Sequence, residues 1–248
     1  MISKAKVKHI KALQIKKYRK EQQCFVVEGA KSVAELLTSG FEVLWVAGTE
    51  SFIRSHRVLL SKRNVEAVEA TEPELAAAGS FQTNDGALAV ARMKPNTAPV
   101  LQPRELALAL DDIRDPGNLG TIIRTADWYG IKQVVASAET ADLYNPKALS
   151  ATMGSFCRVN VFYTNLADFL PGYSGLVYGA FMDGADVHHV NFTGGGLLVI
   201  GNEANGISQA VGKLINKRVT IPRVGGAESL NAAIATGIML DVIHQSKK

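Results

Sequence analysis

Apolar runs rich in branched residues alternate along the chain with segments whose apolar positions recur at helical spacing. Short runs of the first kind are typical of buried strands, and the second spacing is typical of amphipathic helices. Strands and helices that alternate in this way predict a small three-layer α/β domain in the first part of the chain. The predicted strands lie at 25–29, 41–47, 65–70 and 87–93, and the predicted helices at 30–39, at 50–63 and from Thr71 onward.

The same alternation continues beyond residue 104 and predicts a second α/β domain with a mostly parallel sheet. The stretch 197–241 reads as strand, glycine loop, short helix, strand, second glycine loop and final helix. Upstream of it, strands are predicted at 105–110, 131–138, 159–162 and 176–180, with helices from about Thr121 to Gly130 and from Asn145 to about Thr152.

A proline-rich segment separates the two predicted domains. Residues 94–104 contain Pro95, Pro99 and Pro103 and little apolar content. This composition is typical of an extended linker. We therefore predict a basic arm and first domain over 1–93, a linker over 94–104 and a second domain over 105–248.

The positive charge of the chain is concentrated at its N-terminal end. Residues 1–20, which we call the arm, hold eight lysines and arginines and no acidic residue, so the remainder carries −4 of the overall +4. Val7, Ile10 and Leu13 recur at helical spacing in the arm, which predicts an amphipathic helix that docks on the body. Such a one-signed segment fits either a solvated helix face or a contact with the phosphates of a nucleic acid.

Composition narrows the class of protein. At 248 residues and 47% hydrophobic content, the chain can bury one or two cores. No apolar run approaches the ~20 residues of a membrane helix, and no signal-peptide core follows the lysines, so we expect a cytoplasmic protein without a membrane partner. Cys24 and Cys157 lie far apart and the five histidines lack ligand spacing, so neither a disulfide framework nor a metal site is expected.

The candidate chemistry lies in three glycine-bearing loops of the second domain, at 115–120, 201–206 and 223–231. Each follows a predicted strand, and the carboxyl ends of parallel strands share one edge of a sheet, where ligands bind. Glycines allow backbone amides to approach a ligand closely. The glycine spacing of dinucleotide-binding folds is absent and no phosphate-loop lysine follows, so neither nucleotide motif is expected.

The polar residues of these loops have ordinary structural explanations when each is taken alone. Arg124 could pair with Asp127 or Asp112 on the surface. Glu203 could cap the following short helix, and Ser229 could be the N-cap of the final helix. Three such loops at one sheet edge exceed what capping needs, and their convergence favours a ligand site.

Taken together, three segments of the second domain resemble the three motifs of the SpoU (TrmH-like) RNA ribose methyltransferases of the SPOUT superfamily. All three occur in order at suitable intervals. The first domain is similar to that family's substrate-binding domain through the segment 25–29. The matching segments are Asp115-Pro116-Gly117-Asn118-Leu119-Gly120 with Arg124 and Gly130, Val199-Ile200-Gly201-Asn202-Glu203 with Gly206-Ile207-Ser208, and Ile221-Pro222 with Glu228-Ser229-Leu230-Asn231.

The resemblance implies methyl transfer from S-adenosylmethionine to a ribose 2′-hydroxyl, a deep trefoil knot in the C-terminal α/β domain, and a homodimer. It implies that S-adenosylmethionine lies against the knot loops, and it assigns substrate and catalytic roles to five polar residues. The implied cofactor-binding residues are Gly201, Ile221 and Leu230 with Ile200 and Gly206, and the implied catalytic residues are Asn118, Arg124, Glu203, Ser229 and Asn231.

The added first domain favours ribosomal RNA over transfer RNA as the expected partner. A transfer RNA methyltransferase and a non-catalytic RNA-binding protein on the same scaffold remain the alternatives, with a nicotinamide-dependent enzyme more distant. In the final helix, Ile234, Ile238 and Val242 form an apolar stripe, widened by Met239 and Ile243. The stripe could serve dimerisation or could pack on the helix's own sheet.

Overall fold

The computed structural model describes residues 1–84, 86–102, 104–192 and 195–246. The chain divides into two compact units. The first unit comprises Met1–Pro95 and Asp142–Cys157, and the second comprises Asn96–Ala141 and the described residues from Arg158 onward. Pro103 of the predicted linker lies outside the described residues. The boundaries 1–93, 94–104 and 105–248 stay a prediction, and the structure adds that Asp142–Cys157 groups with the first unit.

The first unit is built on a four-stranded sheet of order β1-β4-β2-β3. β4 pairs antiparallel with both β1 and β2, and β3 pairs parallel with β2. Its elements are α1 (Lys4–Leu13), α2 (Lys16–Gln22), β1 (Cys24–Glu28), α3 (Ala30–Thr38), β2 (Val43–Gly48), α4 (Glu50–Lys62), β3 (Glu66–Glu69), α5 (Glu72–Ala78), β4 (Ala87–Arg92) and, later in the chain, α7 (Pro146–Thr152).

Helices cover both faces of this sheet, as the pattern predicted. On one face, Val26 of β1 and Leu88 of β4 pack with residues of α1 and α5. On the other face, α3 and α7 contact β1, and the ring of Phe25 lies 4.6 Å from that of Tyr144 and 6.1 Å from that of Phe156. The segment Asp142–Cys157 therefore completes the core of the first unit.

The arm docks on this unit, which confirms the predicted amphipathic helix. Ile10 and Leu13 of α1 are fully buried, and Val7 is partly buried beside them. Burying a side chain of this size contributes about 1.5–3 kcal/mol. In α2, Arg19 is 2% exposed and its Nη2 lies 2.7 Å from a carboxylate oxygen of Asp142. Apolar burial and a buried ion pair thus hold the arm to the unit.

The second unit has a six-stranded, all-parallel sheet of order β10-β8-β9-β5-β6-β7, which confirms the predicted α/β class. No helix among the described residues is long and apolar enough to cross a membrane. The elements of the unit are β5 (Leu106–Asp111), α6 (Pro116–Trp128), β6 (Gln133–Ser137), β7 (Asn160–Thr164), α8 (Leu166–Phe169), β8 (Val177–Asp186), β9 (Gly196–Gly201), α9 (Gln209–Gly212), β10 (Lys217–Thr220) and α10 (Ala232–Gln245).

Helix α6 begins earlier than the pattern predicted. The expected start was about Thr121, but the helix begins at Pro116, and the Asp115 side chain caps it by accepting a hydrogen bond from the Asn118 amide at 2.9 Å. A proline at the first helical position needs no partner for an N–H, and its fixed φ suits the helix. The predicted first loop is therefore mostly the first turn of α6. The helix ends at Trp128, and Gly130 (φ +73°) follows two residues later as the predicted stop.

Candidate active site

The site lies at the carboxyl ends of β5 and β9, which are neighbours in the second sheet. Asp111 at the end of β5 pairs in register with Gly201 at the end of β9. The chain leaving β5 enters α6, and the chain leaving β9 enters the glycine loop 201–206, so both come off the same edge. This placement confirms that the first two of the three predicted loops converge there.

Gly201 lies where the chain passes very close to itself. A Cβ atom on Gly201 would stand 2.3 Å from the carbonyl carbon of Gly206 and 2.3 Å from the amide nitrogen of Ile207. Asn202 and Gly206 also exchange two backbone hydrogen bonds, of 3.0 and 2.9 Å, and Gly206 has φ +66°. Only glycine allows this tight fold of the loop onto the strand end.

Three predicted site residues form one hydrogen-bonded chain. Asn118 of α6 donates from Nδ2 to Oε1 of Glu203 at 2.5 Å. Asn231, at the start of α10, donates from Nδ2 to Oδ1 of Asn118 at 3.0 Å. Asn118 is 85 positions from Glu203 and 113 positions from Asn231 in the sequence. The two hydrogen bonds therefore join three motifs that only the fold brings together. Glu203 therefore binds Asn118, and the expectation that it caps α9 was wrong.

Asn231, and not Ser229, is the N-cap of α10. Its Oδ1 accepts hydrogen bonds from the amides of Ala233 at 2.9 Å and Ile234 at 3.3 Å. Ser229 is exposed and, within the described residues, forms no hydrogen bond. The capping explanation for Ser229 is therefore wrong, and its side chain is available to a ligand. Asn231 carries two functions at once, with its oxygen on the helix and its nitrogen on Asn118.

Two substitutions separate these functions of Asn231. Asn231→Ala removes the cap and should lower the free energy of unfolding by about 1 kcal/mol, which is about 2–4 °C in Tm for a chain of this size. Asn231→Asp keeps an acceptor for the helix amides but loses the donor to Asn118, so we expect an unchanged Tm with a lower rate of the methyl transfer that the family resemblance implies. Thermal melts and transfer rates of both variants test this. Full activity in Asn231→Asp would show that the bond to Asn118 is dispensable.

A second set of polar contacts, which the sequence reasoning missed, joins the loops that follow β5 and β9. It is separate from the hydrogen bonds of Asn118, Glu203 and Asn231. Asp111 is 5% exposed and accepts a hydrogen bond from the Ser208 amide at 2.7 Å. Asn202 donates from Nδ2 to the carbonyl of Asp112 at 2.8 Å. Asp112 has φ +62°, an uncommon conformation for a non-glycine residue. The sequence did contain a signal for these contacts, namely a polar residue directly at the end of each buried strand.

Asp112 also fixes the loop that leads into α6. Its Oδ1 accepts a hydrogen bond from Nε of Arg114 at 2.7 Å. This hydrogen bond raises the pKa of the Arg114 guanidinium. The strand ends of β5 and β9 are thus joined by three side chains, Asp111, Asp112 and Asn202.

Arg124 stands apart from the hydrogen-bonded chain. It is exposed on α6, and it has no hydrogen-bond or ion-pair partner in the part of the chain that the structure describes. The expected partners are engaged elsewhere, since Asp127 pairs with Arg158 and Asp112 pairs with Arg114. The surface ion-pair explanation for Arg124 was therefore wrong. Among the described residues, neither Arg124 nor Ser229 forms a hydrogen bond or an ion pair with the other three residues.

The third loop, residues 221–230, presents mostly unpaired backbone together with apolar side chains. Side chains bind two of its carbonyls, since the Thr220 hydroxyl donates to the Ile221 carbonyl at 3.4 Å and Arg223 donates to the Ala227 carbonyl at 3.3 Å. All its residues are described, and no backbone amide or carbonyl among them takes part in a backbone–backbone hydrogen bond. Leu230 is 45% exposed, and Ile221 is partly buried. Open amides and carbonyls beside apolar side chains suit a ligand with a polar heterocycle and a sulfonium group, because backbone carbonyls favour a positive charge. Ile221 and Leu230 therefore have the chemistry that S-adenosylmethionine, the cofactor that the resemblance implies, would need in this loop.

Both units match known families of protein domain. Residues 105–241 match the SpoU rRNA Methylase family. The chain belongs to this family. Residues 4–89 match the MRM3-like substrate binding domain. The resemblance that the three motifs carried is thus confirmed. The matched range includes the hydrogen-bonded residues Asn118, Glu203 and Asn231 and the loops around Gly201.

Relatives of this SpoU protein are similar over nearly the whole chain. The 23S rRNA (guanosine(2553)-2′-O)-methyltransferase RlmP of Bacillus subtilis is 32% identical, covering 95% of this chain and 94% of the relative. The AdoMet-bound rRNA methyltransferase of Sinorhizobium meliloti has a TM-score of 0.88 at 30% identity, covering 99% of this chain and 96% of that one. The SpoU methyltransferase AviRb of Streptomyces viridochromogenes, solved with the cofactor AdoMet, has a TM-score of 0.85 at 26% identity, covering 99% and 98%.

Proposed function

We propose that this protein transfers a methyl group from S-adenosylmethionine to a ribose 2′-hydroxyl of ribosomal RNA. The observation that carries the proposal is the hydrogen-bonded chain of Glu203, Asn118 and Asn231, because it joins all three SpoU motifs next to Gly201. Family membership and the AdoMet-bound relatives support the cofactor. The name of the Bacillus subtilis relative supports ribosomal RNA and the 2′-oxygen.

The cofactor would be held by the two loops that follow β9 and β10. Gly201 lets the loop fold onto the strand end, and a Cβ atom at Gly206 would meet nothing within 4 Å, so a ligand can approach the backbone there. Ile200, which precedes Gly201, is buried. Ile221 and Leu230 supply apolar contacts from the third loop. S-adenosylmethionine supplies an activated methyl group, so the work of the protein is mainly to place the ribose oxygen correctly.

The polar residues would orient the ribose and stabilise charge on its oxygen. Oε1 of Glu203 is held by Asn118, whereas Oε2 has no donor among the described residues and can accept a hydrogen bond from the substrate. Arg124 would bind the RNA phosphate and stabilise the negative charge that develops on the hydroxyl oxygen, because a guanidinium is a permanent cation with a forked set of donors. Ser229 would hold the substrate from the third loop.

We further propose that the protein works as a homodimer. The predicted stripe on α10 divides in the structure, since Met239 and Ile243 are buried whereas Ile234 is 57% exposed. Trp128, on the adjoining helix α6, is 85% exposed. Exposed large apolar side chains on two contacting helices are typical of an association surface, so only part of the stripe packs on its own sheet.

The trefoil knot and the cytoplasmic location belong to the same proposal. α10 returns from the edge strand β10 to contact β9 and the turn Val187–His189 that follows β8. This return path, together with the tight fold of loop 201–206 around Gly201, supports a knotted arrangement. Ribosomal RNA as substrate supports the cytoplasm.

The test is transfer of radiolabelled methyl from S-adenosylmethionine to total RNA that lacks its natural modifications. We expect label in the ribosomal fraction that stays with ribose after base removal, and little label on fully modified RNA. Label in transfer RNA alone would move the substrate to that class. Cofactor and RNA binding without transfer to any pool would overturn the proposal in favour of a non-catalytic RNA-binding protein.

A further inference from the structure

The eight positive charges of the arm fall into two groups in the structure. Three of them are used to hold the arm in place. Lys6 lies 2.7 Å from a carboxylate oxygen of Glu66 and 4.6 Å from the ring centre of Trp45, and Lys11 donates to the carbonyl of Gly79 at 2.8 Å. The third, Arg19, is buried against Asp142.

The other group faces solvent. Lys17 is paired only loosely, 3.8 Å from Glu21 on its own helix. Lys4, Lys8, Lys16 and Lys20 are exposed, and within the described residues their side-chain ammonium groups have no hydrogen-bond or ion-pair partner. We call these four side chains the free lysine face.

The free lysine face is arranged unfavourably for a protein surface that meets only water. Lys4 and Lys8 are four residues apart on α1, and Lys16 and Lys20 are four residues apart on α2. Like charges at this spacing are neighbours and destabilise a helix. Lys4 also lies in the first turn of α1, where the helix dipole disfavours a cation. An anionic partner would reverse each of these costs.

We propose that the free lysine face binds the phosphate backbone of the RNA substrate, independently of base sequence. The contacts of Lys6, Lys11 and Arg19 fix α1 and α2 on the first unit, so the face is presented on a docked support. Tyr18 lies between Lys16 and Lys20 in sequence and is 38% exposed, where it can stack on an unpaired base. The arm then supplies affinity for RNA, while the choice of nucleotide belongs to other contacts.

This inference rests on the proposed function only for the identity of the RNA, because the binding test needs no methyl transfer. The test variant carries Lys4→Gln, Lys8→Gln, Lys16→Gln and Lys20→Gln, since glutamine keeps helix propensity close to that of lysine. The matched control makes the same change in charge at four exposed lysines outside the arm, through Lys62→Gln, Lys132→Gln, Lys213→Gln and Lys217→Gln.

Binding of unmodified ribosomal RNA is measured for both variants and the wild type over a range of salt concentrations. Each phosphate contact adds about 0.7–0.9 to the slope of log K against log salt, so the arm variant should lose about 3 from this slope and the control almost nothing. In transfer assays, the arm variant should show a KM for RNA raised about tenfold or more at an unchanged kcat, since the lost contacts are equal in ground and transition states. The methylated position and the affinity for S-adenosylmethionine should not change.

A slope and a KM equal to those of the control would overturn the assignment and leave the face as solvated charge. A changed methylation site in the arm variant would also contradict it, because the contact would then carry sequence information. If the wild type binds RNA but transfers no methyl group, the proposed function fails, while the salt slopes still decide the role of the arm.

Discussion

Arg124→Ala should lower kcat for methyl transfer by about 100–1,000-fold, the usual effect of removing one donor that stabilises charge in a transition state. Arg124 is exposed and has no partner among the described residues, so its removal breaks no contact that stabilises the fold. We therefore expect an unchanged Tm and an unchanged affinity for S-adenosylmethionine. Single-turnover transfer rates, melting curves and calorimetric cofactor titrations measure the three quantities.

Two further variants sharpen this test. Arg124→Lys keeps the charge but loses the forked donors and should recover only part of the rate. Arg57→Ala removes an equally exposed arginine from α4 of the first unit and should leave kcat unchanged. Near-normal transfer by Arg124→Ala would show that this arginine does not act on the reacting oxygen. A large fall in Tm would show instead that its role is structural.

Gly201→Ala should remove cofactor binding and also destabilise the protein. The added methyl group would overlap backbone atoms of Gly206 and Ile207 at 2.3 Å, and backbone cannot rotate away as a side chain can. Overpacking a core typically costs about 1–3 kcal/mol, and this overlap with backbone atoms should reach the upper end of that range. At about 2–4 °C per kcal/mol for a chain of this size, melting curves should show a Tm lower by roughly 6–12 °C.

Gly225→Ala is the matched control for Gly201→Ala. Gly225 lies in the third loop, and a Cβ atom built there meets nothing within 4 Å. The Tm of Gly225→Ala should stay within about 2 °C of the wild type, since surface substitutions away from close contacts usually change stability little. If Gly201→Ala kept both its Tm and its affinity for S-adenosylmethionine, the loop would have to be far more compliant than the close approach at Gly206 suggests.

The sequence was a good guide to the elements and a poorer guide to their ends. The Asp115-Pro116 pair is a strong helix-start signal, yet Gly117 and Gly120 favoured a loop in the prediction. In the structure the cap on the Asn118 amide and the burial of Leu119 outweigh a glycine cost of about 1 kcal/mol each. The start of α6 was missed because the local sequence contains one signal for a helix start and one for a loop, and packing in the folded protein decides between them.

The choice of cap at α10 shows the same limit. Ser229 and Asn231 are both good N-cap residues, and local sequence does not rank them. The structure selects Asn231 because the helix begins at the buried residues Ala232 and Ala233. Motif matching named Asn118, Glu203 and Asn231, but their mutual hydrogen bonds span 85 and 113 positions. Contacts at such separations depend on the fold. The sequence could therefore predict which residues belong to the site but not which of them form hydrogen bonds with each other.

The segment Asp142–Cys157 has a consequence for how this protein can be divided and inherited. It lies in sequence between β6 and β7 of the second unit, yet its Phe156 and Tyr144 pack on Phe25 of the first. A single cut in the proline-rich stretch would leave those aromatic rings attached to the wrong fragment and exposed to water. Recombination that exchanged one half of the gene for that of a distant relative would separate these rings from the Phe25 side chain with which they pack. Selection should therefore keep the two halves together as one evolutionary unit.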